Sequence, residues 1–218
     1  ESGIEMGRGA VMQLITSDAD VAEGAAWLAI TEPRFAAALL ETGPLPLRLA
    51  PDGFGALFNK IVSQQVSVAS ARAIWGRVEA AELNTAEAVR LASDDDLKSV
   101  GLSRPKVKYA RALAEARIDY GALRDGTDAH VIETLTAVSG IGVWTAQVYA
   151  MFNLGRRDVF APGDLALQES ARVLFDLPAR PTPKQLEAMA VDWSPWRAVA
   201  ARLLFTYYRV AKDREGIT

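Results

Sequence analysis

The chain has 218 residues, no cysteine and a single histidine, His130. The first absence rules out disulfides, iron–sulfur clusters, thiolate zinc sites and cysteine nucleophiles. The second leaves too few imidazoles for a histidine-rich metal site or a Ser-His-Asp triad. His130 follows Thr127-Asp128 and is expected at a helix cap or on the surface. No apolar run reaches the roughly 18 residues that a bilayer span needs, and the basic start and apolar core of a signal peptide are missing. A soluble, cytoplasmic protein with no membrane partner is expected. Long β-branched alternations, hairpin signals, internal repeats and low-complexity tracts are also missing. Positive charge is in deficit: 24 Lys and Arg against 27 Asp and Glu leave a net charge of −3. That balance disfavours non-specific binding to nucleic acid. Whatever chemistry occurs must rest on carboxylates, hydroxyls, amides and backbone groups.

Half of the residues are hydrophobic, enough for a real core in one large domain or two small lobes. Apolar spacing and cap residues predict an all-α chain. Helices are expected over 18–30, 33–40, 52–64, 67–81, 85–92, 94–99, 104–117, 128–138, 143–153 and 163–175. Thr182-Pro-Lys-Gln185 is a capping box with Pro in the first turn, and Ser194-Pro195 opens a last helix to about Lys212. Gly101 and Gly121 should stop the segments before them. Pro44 to Pro51 reads as an extended crossing between lobes, because repeated Pro blocks both helix and sheet ladders. Residues 1–12 show no pattern and are expected to be a remnant or a disordered start.

The most informative stretch is Leu135-Thr-Ala-Val-Ser-Gly-Ile-Gly-Val-Trp-Thr-Ala146, followed by Val159-Phe-Ala-Pro-Gly-Asp164. Gly140 and Gly142 allow a sharp turn between two apolar runs, and the turn leaves the first N–H groups of the next helix bare. Bare N–H groups at a helix start suit a phosphate. A single acid, Asp164, stands in a Pro-Gly loop twenty residues beyond Trp144. Alone, the turn reads as a tight helix connection and the acid as a cap. Together, a backbone anchor for phosphate and one nearby carboxylate point to an enzyme acting on DNA. Arg104, Lys106, Lys108, Arg111 and Arg117 supply local positive charge after the acidic Asp94-Asp95-Asp96.

This stretch resembles the helix-hairpin-helix of the DNA base-excision glycosylases. The resemblance extends to Asn59-Lys-Ile-Val-Ser-Gln-Gln-Val-Ser-Val-Ala69 and to Trp193-Ser-Pro-Trp-Arg197, and runs from about Phe54 to Tyr208. Within that superfamily the motifs are most similar to the 3-methyladenine DNA glycosylase II branch. The resemblance implies two helical lobes with an active-site cleft between them: 13–50 with 165–218 as one, and 51–164, carrying the hairpin at about 134–153, as the other. The extra N-terminal sheet domain of some members is not expected.

By the same resemblance, Asp164 is the catalytic carboxylate, and Trp144, Val148, Tyr149 and Trp193 line a base pocket. Ser63, Gln64, Gln65, Ser139, Gly140, Gly142, Val143 and Thr145 contact DNA, with Gln65 filling the gap left by a flipped nucleotide. The carbonyls of Thr136, Val138 and Ile141 would hold a Na or K ion at the hairpin when DNA is bound; no other cofactor is implied. Bifunctional members carry a Schiff-base lysine where this chain has Trp144, and no lysine lies in 109–183. A monofunctional, monomeric enzyme on damaged double-stranded DNA is therefore implied. Some relatives have Tyr where this chain has Val148, which leaves the lesion open. Three readings stand: an alkylpurine glycosylase, a glycosylase for deaminated or oxidised bases, and a non-catalytic DNA-binding hairpin.

Overall fold

The computed structural model describes residues 14–215; the expectation for residues 1–12 lies outside them. Two helices come first, α1 (Asp18–Thr31) and α2 (Pro33–Thr42). An extended connector leads to α3 (Phe54–Ser63), α4 (Val68–Ala80), α5 (Ala86–Leu91), α6 (Asp94–Ser99), α7 (Arg104–Glu115) and α8 (Tyr120–Asp125). The hairpin pair is α9 (Asp128–Thr136) and α10 (Val143–Phe152). Then follow α11 (Leu165–Leu174), α12 (Pro183–Met189), a 3-10 turn over Ala190–Trp193, and α13 (Arg197–Glu215). Among the described residues the one extended pairing is an isolated bridge between Leu14 and Arg156. None of the described helices is long and apolar enough to cross a membrane.

Caps set the boundaries. Ser17, Ser93 and Thr182 each close a capping box, and Thr85 and Thr127 cap their helices with single side-chain bonds; each such cap is worth about 1 kcal/mol. His130 donates its backbone N–H to the Thr127 hydroxyl and stays exposed, as a cap-turn residue. Gly121 does not stop a helix: it lies in the first turn of α8, a single-turn element capped by Asp119 that has too few residues to show a period. The last helix begins at Arg197, not Ser194.

Helices α1, α2, α11 and α13 pack on one another, whereas α3 packs on α4 and α7, and α7 on α5 and α6. Three buried cations lock these groups through backbone carbonyls. Arg202 of α13 donates to Leu47 on the connector, to Ala198 in its own helix and to Met151 of α10. Arg156 donates to Leu123, Arg124 and Gly126. Lys106 donates to the Val62 carbonyl at 2.6 Å, at the end of α3. A buried cation can donate to several carbonyls at once. Burial pushes the Arg202 guanidinium down to about 10. The basic run of α7 is thus not one solvated face: Lys106 and Arg111 are structural, and Arg104 and Lys108 stay exposed.

Candidate active site

The hairpin turn is built on one glycine that the fold requires and one that it does not. Gly140 has φ +95°, and a Cβ there would come within 2.3 Å of the Tyr109 ring. Both facts demand glycine. Ile141 donates its N–H to the Val138 carbonyl at 3.0 Å, closing the turn, and both side chains are buried. Gly142 has ordinary φ, and a Cβ there would meet nothing within 4 Å. It is the N-cap of α10 and offers no side-chain cap. The next N–H groups, of Val143 and Trp144, therefore lack intrahelical partners and open toward solvent through a face with no side chain in the way. That is the geometry of an anion site at a helix start. Ser139 is exposed beside it.

The end of α3 is tied to this turn. Gln64 donates its amide N–H to the Gly140 carbonyl at 3.0 Å, so its side chain joins two loops that are 76 residues apart. Gln65, next to it, has φ +56° and is exposed. A non-glycine residue in the left-handed region is uncommon, and the conformation lifts Gln65 out of the helix end. Ser63, Gln64, Gln65, Gly142, Trp144, Thr145 and Val148 surround one cavity of about 660 Å³, completed by Asn59 and Lys60. Lys60 was not expected there. It stands one helical turn before Gln64, and that i, i+4 spacing on one helix face was the available signal. Burial, with the Arg48 charge next in weight, holds the Lys60 ammonium below its ordinary value.

Asp164 uses its two oxygens differently. Oδ1 caps α11, accepting from Ala166 at 2.9 Å and Leu167 at 3.2 Å. Oδ2 accepts from the Trp144 indole N–H at 2.8 Å. The carboxylate is thus both cap and site group, held by one helix and aimed at the first turn of another. Trp144 is 47% exposed, so it is not core packing. Val143 and Leu165 beside it are 55% and 63% exposed, and Val66 and Val68 beyond Gln65 are exposed too. Apolar groups left in water around three neighbouring loops mark a surface made for a ligand. Arg48, φ +48°, lies over the Phe152 and Phe205 rings within the field of Asp164.

Two expected pocket residues are elsewhere. Tyr149 is fully buried, and its hydroxyl accepts the Gly53 N–H at 2.8 Å; burial pushes it up to about 12. It secures the start of α3. Trp193 is 3% exposed, stacked on Phe175 and edge-on to Phe35 and Phe160. Trp196 is buried, with Arg157 over its ring, and Arg197 grips Asp158 through two bonds of 2.8 Å. The Trp193–Arg197 segment ties α13 to the rest. The one-helical-turn step from Trp144 to Val148 does reach the cavity, whereas Tyr149 turns inward. Among the described residues no group of His, Asp and Glu could hold a metal ion.

The turn, its bare helix start, and the capped acid define a helix-hairpin-helix site. Residues 58–195 match the model of the HhH-GPD superfamily of base excision DNA repair proteins, and the chain belongs to that family. Among individual relatives it is 30% identical to DNA-3-methyladenine glycosylase 1 of Schizosaccharomyces pombe, over 71% of this chain and 72% of that one. It is 29% identical to DNA-3-methyladenine glycosylase 2 of Escherichia coli, over 72% of this chain and 57% of that one. A crystal structure of a DNA-3-methyladenine glycosidase from Bacillus halodurans superposes with a TM-score of 0.78 at 33% identity, covering 88% of this chain and 91% of that one. The S. pombe 3-methyladenine DNA glycosylase in complex with abasic DNA superposes with a TM-score of 0.71 at 25% identity, over 84% and 95% of the two chains.

Proposed function

We propose that the protein is a monofunctional DNA glycosylase that flips alkylated purines, of the 3-methyladenine and 7-methylguanine type, out of duplex DNA. It hydrolyses the N-glycosidic bond and leaves an abasic site. The observation that carries this is the Asp164 carboxylate held 2.8 Å from the Trp144 indole N–H, at the edge of a cavity that Trp144 itself lines. The names of the relatives support the lesion class.

Cleavage passes through a sugar with oxocarbenium character. Asp164 Oδ2 faces that developing charge and directs a water to the far side of the sugar, while Oδ1 stays on the α11 cap. An alkylated purine is already cationic and leaves without a general acid. Its electron-poor ring stacks on the exposed indole. The N–H groups of Gly142, Val143 and Trp144 hold a phosphate, a contact that positions the duplex without reading sequence. Gln65 enters the minor groove, and Ser63, Ser139 and Thr145 flank the strand.

The carbonyls of Thr136, Val138 and Ile141 would hold a Na or K ion, which would supply positive charge beside that phosphate. Thr136 ends α9, where carbonyls lack helical partners and the dipole favours a cation. The reaction draws on no cofactor. We further take the two helix groups as lobes, 13–50 with 165–218 and 51–164, with the DNA cleft between them. The protein is read as a cytoplasmic monomer. Incubation with dimethyl-sulfate-treated duplex DNA tests the reading. It predicts release of free methylated purines, with strand breaks appearing only after alkali. Breaks without alkali would exclude a monofunctional enzyme, and no release at all would leave a glycosylase for deaminated or oxidised bases or a DNA-binding hairpin.

A further inference from the structure

Lys60 is the one charged side chain among the residues lining the cavity beside Trp144. Three other polar groups of that wall are already engaged. Gln64 holds the Gly140 carbonyl, the Trp144 N–H holds Asp164, and Ser63 donates to the Asn59 carbonyl. Among the described residues the Lys60 ammonium has no hydrogen bond and no ion pair, although the side chain is half-buried. An ammonium carries three donors and no acceptor, so an occupant of this cavity that offers it an oxygen or nitrogen lone pair gains a charge-assisted bond. An occupant that is itself cationic gains less, because charge repulsion offsets the bond.

We propose that Lys60 is a specificity-determining residue: it donates to a carbonyl or ring-nitrogen acceptor on the flipped base, and so favours neutral purines bearing a C6 carbonyl relative to cationic ones. This rests on the glycosylase reading above. The cavity wall supports the base side over the sugar side. Lys60 shares the wall with Trp144, Thr145 and Val148, and Asp164, which must face the sugar, is not among the lining residues. Hypoxanthine is the simplest such base. It has acceptors at O6 and N7, no positive charge and no exocyclic amine to point at the ammonium. A purine that is neutral in DNA departs as an anion that must take up a proton, whereas a pre-charged one departs neutral, so the neutral purine needs help that the other does not. A donor at O6 or N7 withdraws electrons from the ring as the glycosidic bond breaks and so assists departure.

The test is single-turnover base release from duplexes containing hypoxanthine or 7-methylguanine, by wild type, Lys60→Met and Lys60→Arg. One charge-assisted bond lost corresponds to about ten- to a hundredfold. The hypoxanthine to 7-methylguanine rate ratio should therefore drop at least tenfold in Lys60→Met and be largely restored in Lys60→Arg. The ratio within one preparation does not depend on the folded fraction, so a partly unfolded variant still reports. An unchanged ratio, or wild type that releases 7-methylguanine and no hypoxanthine, overturns the inference and leaves the glycosylase reading standing. Equal loss on both substrates together with a shallower salt dependence of duplex binding would make Lys60 a phosphate contact instead. A borohydride-trapped covalent adduct lost in Lys60→Met would make it a nucleophile. Release of neither base by wild type fails the parent reading, not this one alone.

Discussion

Trp144 and Trp193 are both expected in the same pocket, yet the fold treats them in opposite ways. Trp144 stands at the start of α10, half in water, with its N–H on Asp164. Trp193 closes an aromatic cluster with Phe35, Phe160 and Phe175. The regions around them differ in the same sense. Near Trp144, apolar side chains are exposed and helix N–H groups are bare. Near Trp193, Arg197 and Ser194 are both bonded to Asp158, and the Trp193 ring packs among three others. One region leaves apolar groups and helix N–H groups open to solvent, and the other turns its rings inward to the fold. An aromatic residue in a motif therefore says little about function until its exposure is known.

The sharpest way to break this contrast is to truncate each tryptophan. Trp193→Ala should cost about 3–5 kcal/mol of stability, as large-to-small changes of buried aromatics do. Trp144→Ala should cost about 1 kcal/mol or less, since it loses one exposed hydrogen bond, while base release falls sharply. Urea unfolding and an excision assay on both variants measure this; equal destabilisation would erase the distinction.

The two hairpin glycines give a smaller version. Gly140→Ala meets the Tyr109 ring and a positive φ, so a loss of about 1–3 kcal/mol of stability is expected. Gly142→Glu has room and should leave the melting temperature nearly unchanged. Its carboxylate faces the phosphate position, so it should weaken binding to any duplex at low salt, damaged or not. Fluorescence anisotropy and thermal melts of the two variants separate the roles. Retained affinity in Gly142→Glu would remove the hairpin as anchor.

Acid tests the covered region most gently. Burial works to raise the Asp158 carboxyl, but bonds from Arg197 and Ser194 outweigh it and hold the group below its ordinary range. A depressed carboxyl contributes stability that is present above the unfolded value, near pH 4, and lost as pH falls through the lower folded value. The melting temperature should thus fall from about pH 4 downward more steeply in wild type than in Asp158→Asn. Parallel curves would mean the Asp158–Arg197 pair contributes nothing measurable.

Most helices were legible because their ends carry caps and Pro or Gly signals: the Thr182–Gln185 box and the Ser93 start of α6 fall where the sequence puts them. Helix α8 was not, since one turn holding Gly121 has no period. The hairpin and Asp164 were legible as a motif because each depends on local backbone geometry. What could not be read locally are the long-range ties: Gln64 to Gly140, Tyr149 to Gly53, and the buried Arg156 and Arg202 on distant carbonyls. Each depends on which loops meet, and spacing along one helix does not contain that. Tyr149 and Val148 are adjacent in sequence, yet only Val148 reaches the cavity, because one residue step rotates a helix position by about 100°.

The central claim is that Asp164 does chemistry as well as capping, and Asp164→Asn isolates the two. Asparagine can keep its oxygen on the Ala166 and Leu167 N–H groups, so the α11 cap survives. Its amide then faces the Trp144 indole with donor against donor, and no negative charge remains. The measurement is single-turnover release of 7-methylguanine by wild type and Asp164→Asn, with duplex affinity and melting temperature taken in parallel. The account predicts a loss in rate of about a hundred- to a thousandfold, with affinity and melting temperature close to wild type. A variant that releases base as fast as wild type would reduce Asp164 to a helix cap.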